Sequence, residues 1–110
     1  MLNRLTESLK KQFPDRIIAV YVFGSRVRGD HGEWSDFDVL VIVKDKTPEI
    51  ETEIISLFVD EEIQSGIPFS VVIKDIKAFK MEKKFNTPFY ENITKEGVLL
   101  WLFVNPTSNF

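Results

Sequence analysis

The sequence predicts an α/β (α+β) fold, a sandwich of modest size in which three to four strands alternate with helices. Two apolar runs, Ile17–Phe23 and Val39–Val43, read as buried strands. Around them, apolar residues recur at helical spacing. Two Thr-Pro pairs, Thr47-Pro48 and Thr87-Pro88, read as helix starts, with a hydroxyl for the cap and a proline for the first turn. A chain of 110 residues suffices for one core, so residues 1–110 are read as one domain.

Taken in order, Leu2, Leu5, Leu9 and Phe13 lie at helical spacing and Pro14 closes that helix. Ile17–Phe23 is the first strand, and Gly24–Asp30 a turn with a short helix. His31 to Ser35 is a polar loop, and the lone His31 is read as a solvated residue of it. Asp36–Val43 is the central strand. The helix from Thr47 carries Ile50, Ile54, Leu57 and Phe58 on its apolar face and stops at Gly66, with Asp60, Glu61 and Glu62 as a solvated acidic patch. Pro68–Ile73 is the third strand. Asp75 caps a helix through Phe85, the helix from Thr87 ends at Gly97, and Val98–Phe103 is a final short strand. There are no repeats, low-complexity runs or linkers.

Composition narrows the function classes. An apolar content of 44% and a charged content of 28% are ordinary for a soluble globular protein. Without cysteine there is no disulfide, no thiolate catalysis and no zinc–thiolate site. A net charge of −3 argues against a general nucleic-acid binder, whose affinity rests on basic surface. The N-terminal MLNRLTESLKKQF lacks a signal peptide's apolar stretch, and no segment is long enough to span a bilayer, so a cytoplasmic location is expected.

The stretch from Tyr21 to Val43 carries the chemistry. Strand alternation places Asp36 and Asp38 in the row continued by Leu40 and Ile42, with Phe37, Val39 and Val41 on the other side. Two carboxylates roughly 6–7 Å apart along a strand, beside low-dielectric packing, need a cation to keep both ionised. A divalent metal with oxygen ligands is the simplest. Gly24 permits close approach of a ligand, and Ser25 offers a hydroxyl and backbone N–H groups at a helix start, where anions are favoured. Arg26 and Arg28 add positive charge, although Arg26 has a reading as a plain exposed residue and Arg28 as a partner of Asp36 or Asp30. Phosphate on one side and metal on the other describe a nucleoside triphosphate site. A P-loop is excluded: Gly24-x4-Gly29 has the glycine spacing, but Asp30-His31 replaces the Lys-Ser/Thr that would meet phosphate and magnesium.

Gly24-Ser25, ten residues, then Asp36-x-Asp38 resembles the GS-x10-DxD signature of the polymerase-beta-type nucleotidyltransferases. The fuller string FGSRVRGDHGEWSDFDVLV, with the tail TPFYENITKEGVLLW, resembles the minimal nucleotidyltransferase (MNT) branch. The resemblance implies a small mixed sheet in which the GS turn and the DxD strand meet at one edge of the cleft. It also implies Mg²⁺ on Asp36 and Asp38, and triphosphate oxygens on Gly24 and Ser25. Active members usually carry a third acid on a neighbouring strand, and the matching position here is Ser70. A serine is a poor metal ligand and no general base near neutral pH. Ser70 is therefore expected to orient a water or a substrate hydroxyl, with Asp75 reaching in from the strand end.

Two function classes follow. The first is an enzyme moving AMP from ATP to a hydroxyl on a protein partner. In the minimal branch that partner is often a HEPN-domain protein, and the pair resembles a toxin–antitoxin module. The second is a catalytically weak or inactive nucleotide- or partner-binding module of the same fold. Ten phenylalanines are many for this length, and Phe79, Phe85, Phe89, Phe103 and Phe110 are expected to serve an interface, whether with a partner or in a homo-oligomer.

Overall fold

A computed structural model describes residues 2–23 and 37–102. Helix α1 (Leu2–Gln12) leads into β1 (Ile17–Phe23), followed by β2 (Phe37–Val43), α2 (Pro48–Ser65) and β3 (Phe69–Asp75). The chain continues through α3 (Ile76–Phe85), α4 (Pro88–Glu96) and β4 (Val98–Leu102). The strands form one mixed sheet in the order β3-β2-β1-β4. β1 runs antiparallel to both β2 and β4, whereas β2 and β3 are parallel. A parallel pair needs a crossover, and the 18-residue α2 supplies it.

Local chemistry sets the element limits. The Thr47 hydroxyl accepts from Ile50 N–H and the Thr87 hydroxyl from Tyr90 N–H, both at 3.2 Å. The third cap is Asp75, whose carboxylate accepts from Lys77 N–H at 2.8 Å. Gly66 ends α2 in the left-handed region at φ 74°, where a side chain would be strained.

The sheet is covered on both faces. On one face, Leu5, Leu9 and Phe13 at α1 and Ile50, Ile54 and Phe58 of α2 pack against Val20, Val22, Val39, Val41, Val43 and Ile73. On the other, Phe79 of α3 and Ile93 of α4 pack against Ala19, Leu40 and Ile42. Both faces of β2 are therefore apolar, which explains its unbroken hydrophobic run. An irregularity between Ile17 and Ala19 shifts the alternation so that Ile17 joins the first layer and Ala19 the second. Among the described residues no helix is long and apolar enough to cross a membrane.

The acidic patch expected at Asp60, Glu61 and Glu62 is corrected in its middle member. Glu61 is buried between α1 and α2, where its carboxylate accepts from Arg4 Nη2 at 2.6 and 2.7 Å. Helical geometry turns Glu61 onto the Ile54 side and leaves Asp60 and Glu62 exposed. The aromatic surface expected of the C-terminal part is likewise reduced. Phe79 is core and Phe89 is half-buried, whereas Phe85 is exposed; Phe103 and Phe110 lie outside the described residues.

Candidate active site

Asp38 is the second residue of β2, and its alternation with Leu40 and Ile42 turns it to the α3–α4 side of the sheet. Across the antiparallel pair it stands opposite Phe23, and across the parallel pair opposite Ser70. Phe23, Asp38 and Ser70 thus form one row at the end of the sheet where β1 finishes and β2 and β3 begin. Asp38 is half-buried and Ser70 exposed.

The register that joins Asp38 to Ser70 is held from the opposite face. Phe37 and Phe69 are paired across the strands and stacked, with ring centroids 5.9 Å apart. Phe58 of α2 closes edge-on against Phe69 at 5.6 Å. The Phe37 N–H donates to Pro68 C=O at 3.0 Å. A slip of one residue would break these contacts and turn every side chain of β3 to the wrong face. Asp38 and Ser70 are consequently pinned side by side.

The row has an aromatic neighbour that sequence reading missed. The Phe89 ring of α4 meets Phe23 edge-on at 6.2 Å. Lys74, further along β3 on the same face as Ser70, lies 4.8 Å from the Phe89 centroid. Its ammonium approaches Glu82 Oε2 to 2.8 Å, yet that buried oxygen has no hydrogen-bond partner, so the contact is an ion pair off the line of a hydrogen bond. Glu82 Oε1 accepts from the Thr87 hydroxyl at 3.1 Å. A strand-end phenylalanine just before the Gly24-Ser25 pair in the sequence was the available signal. On the same face, burial pushes the Tyr21 phenol above its usual range, and neighbouring Tyr90 adds to the effect.

Asp75 does not join the site. It pairs with Val43 at the opposite end of β3, five residues or roughly 17 Å from Ser70. Its two oxygens accept from Lys46 N–H and Lys77 N–H, each at 2.8 Å. Those backbone donors, Lys46 first, hold its carboxyl below the ordinary range. The expectation that Asp75 reaches in as the third acid is therefore overturned by strand register.

Gly24, Ser25, Arg26, Arg28 and Asp36 lie outside the described residues. The segment that carries them leaves β1 after Phe23 and enters β2 at Phe37, beside the row. Among the described residues no group of three His, Cys, Asp or Glu comes together as a metal site. Asp38 does present a carboxylate, the hard oxygen donor that magnesium takes, with the Ser70 hydroxyl beside it on the same face.

Comparison with known proteins bears on the family and the fold. A protein of Methanocaldococcus jannaschii named "Putative protein adenylyltransferase MJ0604" is 27% identical over 101 residues, covering 91% of this chain and 94% of its own. Among solved structures, a toxin–antitoxin crystallised with AMP-PNP superposes with a TM-score of 0.60 at 19% identity, over 92% of this chain and 73% of that one. A tri-AMPylated Shewanella oneidensis HEPN toxin in complex with its MNT antitoxin gives a TM-score of 0.53 at 17% identity, over 92% and 69%. These two likenesses are of fold. The family model described as "Nucleotidyltransferase domain" matches residues 2–100. With that match over nearly the whole length, the chain belongs to the nucleotidyltransferase domain family.

Proposed function

We propose that the chain is an Mg²⁺-dependent adenylyltransferase that moves AMP from ATP to a hydroxyl of a HEPN-domain protein, as the antitoxin of a HEPN/MNT-type pair. The observation that carries the reading is the Phe23–Asp38–Ser70 row. It sets a metal-type carboxylate at the sheet end from which the Gly24-Ser25 segment departs. Asp36 and Asp38 would hold Mg²⁺, and the bound ion neutralises charge on the triphosphate oxygens. Gly24 and Ser25 cradle the outer phosphates through backbone N–H groups and one hydroxyl, and Arg26 and Arg28 add positive charge beside them. Ser70 orients the acceptor hydroxyl next to Asp38. The acceptor oxygen bonds to the α-phosphorus and gives up its proton to solvent water, the bond from that phosphorus to the bridging oxygen breaks, and pyrophosphate leaves. The names of the similar proteins support adenylyl transfer and a HEPN partner. Dependence on ATP suits a cytoplasmic location.

A second reading, a nucleotide- or partner-binding module without catalysis, draws on one specific observation. Ser70 stands where a third acid is expected, and Asp75 is committed elsewhere. The test is to incubate the chain with its neighbour-encoded HEPN protein, ATP and Mg²⁺, then weigh the partner by intact mass spectrometry. A gain of AMP that vanishes with Asp38→Asn is expected. A stable complex with no mass change, formed without nucleotide, would leave the binding module standing.

A further inference from the structure

The exposed side of α2 is neither core nor part of the catalytic row. Ile55, Val59 and Ile63 recur at every fourth residue and are 42%, 47% and 74% exposed, too much apolar surface on one line for a helix that only covers a sheet. The line is about 12 Å long, two turns of helix. It borders a groove of about 170 Å³ lined by Ile55, Phe58, Val59, Glu62, Phe69 and Val71. At 100° per residue, Glu49, Glu53 and Asp60 flank the stripe on one side and Glu62 and Glu51 on the other, Glu51 being ion-paired with Lys46 Nζ at 3.4 Å. No Lys or Arg occurs within α2. An apolar line between two acidic margins is complementary to a helix bearing an apolar line between basic margins.

We propose that this face of α2, with the groove beside β3, is a docking seat for a basic amphipathic helix of a protein partner. Strand addition is a poor alternative, because the outer edge of β3 is interrupted at both ends. The Phe69 N–H donates to Glu62 Oε1 at 2.9 Å, and the Ile73 C=O accepts from Lys46 Nζ at 3.1 Å. Two copies meeting through α2 would oppose acid to acid. The chain's own α3 is basic, with Lys77, Lys80 and Lys84 beside exposed Met81 and Phe85. It lies on the opposite face of the sheet, so an α2-to-α3 contact between copies is head-to-tail and cannot close as a two-fold dimer. The seat therefore suits a different chain. It also lies across the sheet from Asp38 and leaves the catalytic row open, so the proposal stands whether or not the chain transfers AMP.

The probe is a synthetic helical peptide with leucines at every fourth position and lysines on both margins. Its binding to the full chain is read by fluorescence anisotropy and by amide chemical shifts. Binding that weakens with salt, with shifts confined to α2 and the β3 edge, is expected. Val59→Asp should weaken it about tenfold even though it adds negative charge, whereas Phe85→Asp should leave it unchanged. Equal binding by Val59→Asp would mean general adhesion of a cation to an acidic surface and overturn the seat. Shifts centred on α3 or α4 would overturn it too. Growth of the chain alone in sedimentation, abolished by Val59→Asp, would make the occupant a second copy and refute a distinct partner. A thermal melt checks that Val59→Asp folds, and Ile63→Asp at the more exposed end serves if it does not.

Discussion

Asp38 and Ser70 stand opposite each other across the parallel β2–β3 pair, on one face of the sheet and one strand spacing apart. The resemblance leads one to expect an acid at position 70, and the chain holds a hydroxyl there. A neutral hydrogen bond contributes about 1 kcal/mol, so Ser70→Ala should slow AMP transfer by about tenfold or less. Asp38→Asn removes a metal-type ligand and should slow it by about 100-fold or more. Ser70→Asp would set two carboxylates about 5 Å apart, lowering thermal stability without Mg²⁺ and making it rise on Mg²⁺ addition. Transfer rates and melts with and without Mg²⁺ check all three. A Ser70→Ala loss as large as that of Asp38→Asn would make the serine itself the group that handles the proton.

Arg4 and Glu61 form an unequal pair, because the arginine side chain is 61% exposed and the glutamate 5%. Removing the arginine strands a carboxylate out of water, so Arg4→Ala should cost about 2 kcal/mol. Arg4→Ala combined with Glu61→Leu should recover most of that loss, since neither charge remains. Urea unfolding of both variants measures the difference. A cost near zero for Arg4→Ala alone would show that the pair behaves as an ordinary surface contact.

Asp75 makes stability depend on acid. Its folded carboxyl lies below the ordinary value of 3.8, so it stabilises the fold at pH above that value. The contribution is lost as pH falls through the lower folded value and the carboxylate takes up a proton. Asp75→Asn should weaken the protein at neutral pH, and the gap to the parent should close in acid. Urea midpoints from about pH 6 down to about pH 2 follow it. A gap that stays constant over the acid range would mean that the hydrogen bonds matter and the charge does not.

Gly97 follows α4 with φ −75°, an angle open to any residue, so its backbone angle is not the reason for glycine. A Cβ there would fall 2.5 Å from Ile93 C=O, the same oxygen that accepts from Gly97 N–H at 2.9 Å. The clash costs about 1–3 kcal/mol, against about 0.4–1 kcal/mol gained by stiffening the unfolded chain. Gly97→Ala should therefore destabilise by about 1–2 kcal/mol, read by thermal or urea unfolding. A stabilised variant would show that the end of α4 moves aside at little cost.

What the sequence by itself determined is what short-range physics controls. Thr47, Asp75 and Thr87 start helices where their side chains meet backbone N–H groups two or three residues on. The apolar run Ile17–Phe23 forms a strand over the residues expected of it. Alternation alone put Asp38 in the row of Leu40 and Ile42, and the structure keeps it there. The Gly24-Ser25 and Asp36-x-Asp38 spacing points to the nucleotidyltransferase family by itself, although Gly24, Ser25 and Asp36 lie outside the described residues. Tertiary structure decided what depends on partners distant in the chain. Glu61 read as solvated because its helix offers no hint of Arg4, 57 residues earlier. Asp75 read as a reserve acid because nothing local states which end of β3 meets Asp38. That answer came from the parallel register, set through α2 by Phe37, Phe58 and Phe69. Caps and alternation act within a few residues, whereas register is chosen by side chains that meet only after the chain has crossed over.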